Sequence, residues 1–181
     1  MSTWLWVLVA LVVIGVHLSW TAGRIDRLHT RIDASRAALD AQLVRRASIA
    51  LELAISGLLD PAASVLLAGA AHEAREASQE ERELAESDLS KALRAALREP
   101  VQVKALGSDP GGAQLLAELD AAMRRVPMAR RFHNDVVRGT RALRRQRVVR
   151  FLRLAGRAPM PPTFEMDDAP PPGLIRDEKL L

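Results

Sequence analysis

From Leu115 the chain repeats a stripe in alternating steps of four and three: Leu115, Leu119, Ala122, Val126, Ala129, His133, Val136, Thr140 and Leu143, continuing through Arg147 and Arg150 to Leu154. An α-helix with 3.6 residues per turn brings such positions onto one face, whereas a strand would scatter them across two. The stretch therefore predicts one long helix with a single buried side. Pro127 falls inside it and predicts a kink, because proline removes a hydrogen bond and crowds the preceding turn. The composition agrees: there is no tyrosine and aromatics make up 3% of the chain, a profile that favours helices over sheets.

The same spacing begins earlier. Ile25, Leu28, Ile32, Leu39, Ile49 and Leu53 form a second stripe, with Ser35, Gln42 and Arg46 at its missing steps. It predicts a helix over 24–57. Asp60–Pro61 reads as a helix restart, an N-cap followed by proline at the first helical position, and predicts a helix over 61–98. A break near Ser78 gives a four-helix alternative. The Pro/Gly-containing stretch after Glu99 reads as a connector, and the third helix covers 112–154. Beyond it, 157–181 is proline-rich and acidic and reads as a largely disordered tail. The expected fold is all-α, an antiparallel bundle of three long helices over 24–156.

Residues 1–23 read differently. Thr3 to Gly23 carries no formal charge, is dense in valine and leucine, and has Trp4 and Trp20 near its ends. About 20 helical residues cover the roughly 30 Å hydrocarbon core of a bilayer, and tryptophan suits both interfaces. A cleavable signal peptide fits less well, because no lysine or arginine precedes the apolar run and Trp20 stands where a small residue is wanted. The reading is a single-pass transmembrane anchor in the cell membrane. Arg24, Arg27 and Arg31 follow it, so the positive-inside rule places the N-terminus outside and the bundle in the cytoplasm; the alternative is an extracytoplasmic domain.

The formal net charge of +4 conceals a polarised chain. Between Arg124 and Arg157 there are twelve arginines and one acid, while residues 60–99 hold nine acids and five bases. Arg141, Arg144, Arg145, Arg147, Arg150 and Arg153 form a candidate contact surface for anions, with anionic lipid as the fitting partner. Nucleic acid is disfavoured, since the arginines encircle the helix and no aromatic ladder is interleaved.

Little in the sequence points to catalysis. There is no cysteine, and His17, His29, His72 and His133 are too far apart in sequence for a local metal site. No phosphate loop, nucleophile elbow, zinc-protease motif or dinucleotide fingerprint occurs. The triplet His133–Asn134–Asp135 cannot form a triad, because adjacent helical residues point in different directions. No cofactor is expected, and the chain reads as non-enzymatic. Asp135 lies between Arg131 and Arg138 at ion-pairing spacing. If the first and third helices descend in parallel, Gln42, Arg46 and His133 reach one level about 30 Å along each helix. That predicts a buried polar layer of Gln42, Arg46 and His133 with Asp135 beside it, fixing helix register.

Two separated segments, "LDAQLVRRA" (Leu39 to Ala47) and "ARRFHNDVV" (Ala129 to Val137), followed by "PPTFE", stand in an order that resembles the LemA family of bacterial membrane-anchored helical proteins. His133 stands where that family usually has tyrosine, and the Pro-Asn-Leu sequence that usually follows its paired arginines is absent. The resemblance implies an N-terminal anchor and an antiparallel bundle, with no established catalytic activity. The function expected on these grounds is a membrane-anchored scaffold or interaction module for an unidentified protein partner. The alternative is a membrane-tethered binder of anionic lipid or nucleic acid.

Overall fold

The computed structural model describes residues 2–146, 149 and 159–174. The described residues are all-α. Five α-helices, α1 (Ser2–Ile55), α2 (Pro61–Glu76), α3 (Arg82–Ala96), α4 (Pro100–Leu106) and α5 (Pro110–Arg144), precede a single 3-10 turn at Pro172–Leu174. The expectation of three long helices, or of four, is corrected accordingly. Two compact units are present: unit 1 comprises Met1–Ala37 and Phe132–Thr163, and unit 2 comprises Ala38–Arg131 and Phe164–Leu181.

The helix ends follow local chemistry. α1 runs without a break into the stretch expected as the first bundle helix and stops before Gly57, whose φ of +75° suits a residue without a Cβ. Asp60 then caps α2, its side chain accepting from the Ala62 and Ala63 amides at 2.9 and 3.4 Å, with Pro61 in the first turn. The same Asp-Pro pair recurs at Asp109–Pro110, where Asp109 accepts from the Gly112 amide at 2.8 Å as α5 begins.

The predicted helix over 61–98 is two helices. Ser78, Gln79, Glu80 and Glu81 offer nothing apolar to bury, so a turn there sacrifices no core contact. Folding back also places α2's stripe of Leu67, Ala71 and Ala74 in the same core as Leu89, Leu93 and Ala96 of α3. The presumed connector is itself partly helical: α4 starts at Pro100 and buries Val103 and Leu106. α4 and α5 approach closely at Gly112, where a Cβ would lie 2.3 Å from the Leu106 carbonyl oxygen. The helix continues through Pro127, and α5 ends at Arg144 with Arg145 and Gln146 in a turn; the rest of the predicted helix, apart from Val149, lies outside the described residues.

Unit 2 carries the main core. Leu53, Leu67, Leu89, Leu93, Leu97 and Leu119 are fully buried, interleaved with Ala47, Ala50, Ala71 and Ala122, whose small side chains let helices pack closely. In unit 1, Val137 and Thr140 of α5 are fully buried, Ile32 of α1 nearly so, and Leu28 packs with Leu143 and Val149.

The membrane-spanning anchor is also corrected. Among the described residues, no helix is long and apolar enough to cross a membrane. The apolar run Trp4–Val16 stops at His17, about 20 Å of helix against a hydrocarbon core of roughly 30 Å. The single-pass topology, its orientation and the cell-membrane placement built on that span fall with it. Trp4, Trp6 and the valines and leucines between them and His17 are exposed.

Candidate functional site

Unit 2 holds two connected polar arrangements on α3. The first is internal. Arg46, on α1, is 1% exposed and donates to the Glu86 carboxylate at 2.5 Å, to the Glu86 carbonyl at 2.9 Å and to Ser90 Oγ at 2.9 Å. Ser90 in turn donates to the Glu86 carbonyl at 3.0 Å, and Arg82 Nε stands 3.8 Å from the second carboxylate oxygen. Burial pushes the Glu86 carboxyl above the usual carboxylate range, opposed by the charge and hydrogen bond of Arg46 and the charge of Arg82, with Asp40 adding a small upward push. Because the folded value is raised, stability falls as pH rises from 4.5 through the raised value, since ionising Glu86 in the core carries a desolvation cost that Arg46 and Arg82 only partly offset. A buried pair of this kind fixes geometry more than it adds stability.

The second arrangement is a strap formed by residues 164–174, part of the stretch the sequence assigned to a disordered tail. In unit 2 Phe164 is 5% exposed and packs with Leu39 and Leu43 of α1 and Val126 of α5, flanked by Ala129 and Met166. The strap's amides are read by α3: Glu165 N donates to Glu83 Oε1 at 3.0 Å and Asp167 N to Ser87 Oγ at 3.1 Å. Two residues of extended chain advance about 6.6 Å, and four residues of helix about 6 Å. Alternate strap amides therefore meet successive turns of α3.

Arginines hold the acids of the strap. Arg94 grips Asp167 with both terminal nitrogens and also donates to the Ala169 carbonyl at 3.1 Å. Arg130 of α5 donates twice to Asp168, at 3.0 and 2.9 Å, and lies 3.3 Å from Glu165. The hydrogen bond from Arg94 holds the Asp167 carboxyl below its ordinary range, assisted by the Ala169 amide and the Arg94 charge and opposed by partial burial. The strap then ends against unit 2's core, where Gly173 N donates to the Leu97 carbonyl at 3.3 Å; a Cβ on Gly173 would come within 2.6 Å of that oxygen. In unit 1 the preceding prolines are held through their carbonyls, Pro161 by Arg141 and Pro159 by Arg144, each at 2.8 Å.

The residues singled out from the sequence are distributed as follows. Arg46 lies in the core of unit 2 with Glu86 and Ser90. His133 lies in unit 1, 2% exposed, with its Nδ1 3.0 Å from Ser35 Oγ. Gln42 is half-buried, and its side-chain oxygen makes no hydrogen bond among the described residues. Asp135 is exposed and pairs with Arg138. Of the arginine surface, Arg141 and Arg144 are engaged with the Pro161 and Pro159 carbonyls and Arg145 is exposed, while Arg147, Arg150 and Arg153 lie outside the described residues. Glu86, Arg94, Arg130, Phe164, Asp167 and Asp168 were not anticipated. For Phe164, Asp167 and Asp168 the one signal was an aromatic residue followed by paired acids in a proline-rich stretch; Glu86, Arg94 and Arg130 carried none.

Among the described residues, no group of three histidine, aspartate or glutamate side chains is placed to hold a metal ion. No family model, curated protein or solved structure matches the chain. The resemblance to the LemA family is corrected on that ground: two short segments in order do not carry a family when the chain between them, split into α2, α3 and α4, matches nothing.

Two predictions follow from this geometry. Glu86→Gln strands the Arg46 charge in the core and is expected to lower unfolding free energy by about 3–5 kcal/mol, whereas replacing both Arg46 and Glu86 by leucine or methionine comes out far closer to the native chain; urea denaturation measures both. Because the folded pKa of Asp167 is depressed, its hold on the strap is present above pH 3.8 and is lost as pH falls through the lowered value. Strap resonances followed by NMR should move toward random-coil positions only in that acid range, and Asp167→Asn should abolish the transition.

Proposed function

We propose that unit 2 is a binding module for an extended acidic segment bearing one aromatic anchor, and that residues 164–169 occupy it in cis. The observation that carries this reading is the seating of Phe164 among Leu39, Leu43 and Val126 with Asp167 and Asp168 each held by a separate arginine. An apolar pocket supplies affinity, and the two guanidiniums, planar and always charged, read the position of the acids. Backbone amides of the ligand meet Glu83 and Ser87, so the ligand is recognised as extended chain and not as helix.

We read the module as non-enzymatic. What supports this is that Arg46, Glu86 and Ser90 are buried in the core of unit 2 and hydrogen-bonded to one another there. The rigid part is the groove, and the replaceable part is the strap, held by one buried ring and partly exposed ion pairs. Exposed pairs of this kind contribute about 0.2–1 kcal/mol each, so exchange of the strap leaves the core intact.

The test uses the full chain carrying Phe164→Ala, Asp167→Ala and Asp168→Ala, with circular dichroism checking that it remains helical. A labelled peptide of residues 162–170 should bind this variant and not the native chain, whose groove is filled. Adding Arg94→Ala and Arg130→Ala should remove the binding. A folded variant that ignores the peptide, or binds it equally without the arginines, overturns the proposal.

A further inference from the structure

The α2–α3 hairpin has a second face that its own core does not use. Leu67, Ala71 and Ala74 of α2, and Leu89, Leu93 and Ala96 of α3, are buried. Val65, Leu66 and Leu84 are 75, 53 and 64% exposed. Between the helices runs an open groove of about 550 Å³, with Gly69, Ala70 and Ala95 among the residues that line it. A second pocket on the side of the turn shares Glu73 and Asp88 with it and is lined also by Ala77 and Leu84. Small lining residues permit close approach by another backbone, and the exposed valine and leucines supply apolar walls.

The rim of this groove is acidic. Glu73 lines the groove and Glu76 and Glu81 the adjacent pocket, and none forms an ion pair with a described residue; Asp88, which lines both, is paired at 2.7 Å with Lys91 of the groove wall. The strap does not compete for the groove, since it sits on Glu83, Ser87 and Arg94, none of which lines it.

We infer that this groove docks a basic amphipathic helix of a partner protein. An apolar floor selects a hydrophobic stripe, and a helix laid between two antiparallel helices repeats the helix-in-groove mode, with anchors at i, i+3, i+4 and i+7. The rim chooses the sign: its unpaired carboxylates repel an acidic helix and a phosphate backbone and attract lysine or arginine flanking the stripe. α2 has 16 residues, about 24 Å at 1.5 Å per residue, which accommodates roughly four turns of the partner. The recognition is independent of the strap groove, which takes an extended acidic ligand; the two faces of one hairpin thus select partners of opposite charge and opposite backbone form.

The test is fluorescence anisotropy on the full chain with a labelled synthetic helix of leucine and arginine, about 18 residues long and amphipathic at the helical period. Binding is expected, weakening about tenfold or more between roughly 50 and 300 mM salt. Glu73→Lys with Glu76→Lys should weaken it about tenfold at low salt, and Val65→Asp with Leu84→Asp should weaken it at every salt concentration. All four positions are exposed, so the fold tolerates these changes. A scrambled peptide of the same charge but no apolar stripe should bind at least about tenfold more weakly. Equal binding of the scrambled peptide, or indifference to both double variants, overturns the inference. Concentration-dependent self-association of the native chain that the same variants abolish would also overturn it, assigning the groove to a second copy.

Discussion

Arg46 and Glu86 form a buried ion pair at 2.5 Å, each 1% or less exposed, and this pair sets the rotation of α3 on α1 within unit 2. In a medium that screens charge poorly, neither partner tolerates the loss of the other, and few alternative rotations of α3 keep them together. At 100° per residue, Glu86 and Ser90 lie on a stripe adjacent to Glu83, Ser87 and Arg94. Fixing the first stripe on Arg46 therefore determines where the second one points. The second stripe is the one that reads the strap.

The strap shows how a segment poor in secondary structure becomes ordered. The prolines before it carry no amide hydrogen to satisfy, so their carbonyls alone need partners, and Arg141 and Arg144 supply them in unit 1. The strap's own amides at Glu165 and Asp167 find side-chain acceptors on α3 in unit 2. One aromatic ring then gives the burial that a disordered acidic stretch lacks. Fully burying such a side chain contributes about 1.5–3 kcal/mol, enough to order a short segment whose prolines have already restricted its freedom.

How far the sequence could be read depended on the range of the signal. The Asp60–Pro61 restart and the stripe through Leu119, Ala122 and Val126 rest on neighbours within one or two turns, and both were visible, although the stripe took Val136 where the structure buries Val137. The polar steps at Arg46 and His133 were recognisable as interruptions of apolar stripes, but their partners were not. Glu86 lies in a charged run that reads as a solvated face, and Ser35, itself at a polar step of the first stripe, carries no sign that it meets His133. The strap was missed because proline and acid content alone signals disorder, while its order comes from Arg94 and Arg130, which lie 73 and 38 residues away from their aspartates. The apolar start of α1 and the two family-like segments were over-read, composition and short motifs standing in for length and continuity.

Amide hydrogen exchange at Glu165 and Asp167 tests the central claim, that the groove of unit 2 holds an extended acidic segment. Both amides donate to side chains of α3, so they should exchange far more slowly than an unstructured chain, and Phe164→Ala should return them together to the unprotected rate while amides of α3 stay protected. Exchange of both amides in the native chain at the unprotected rate would contradict the account.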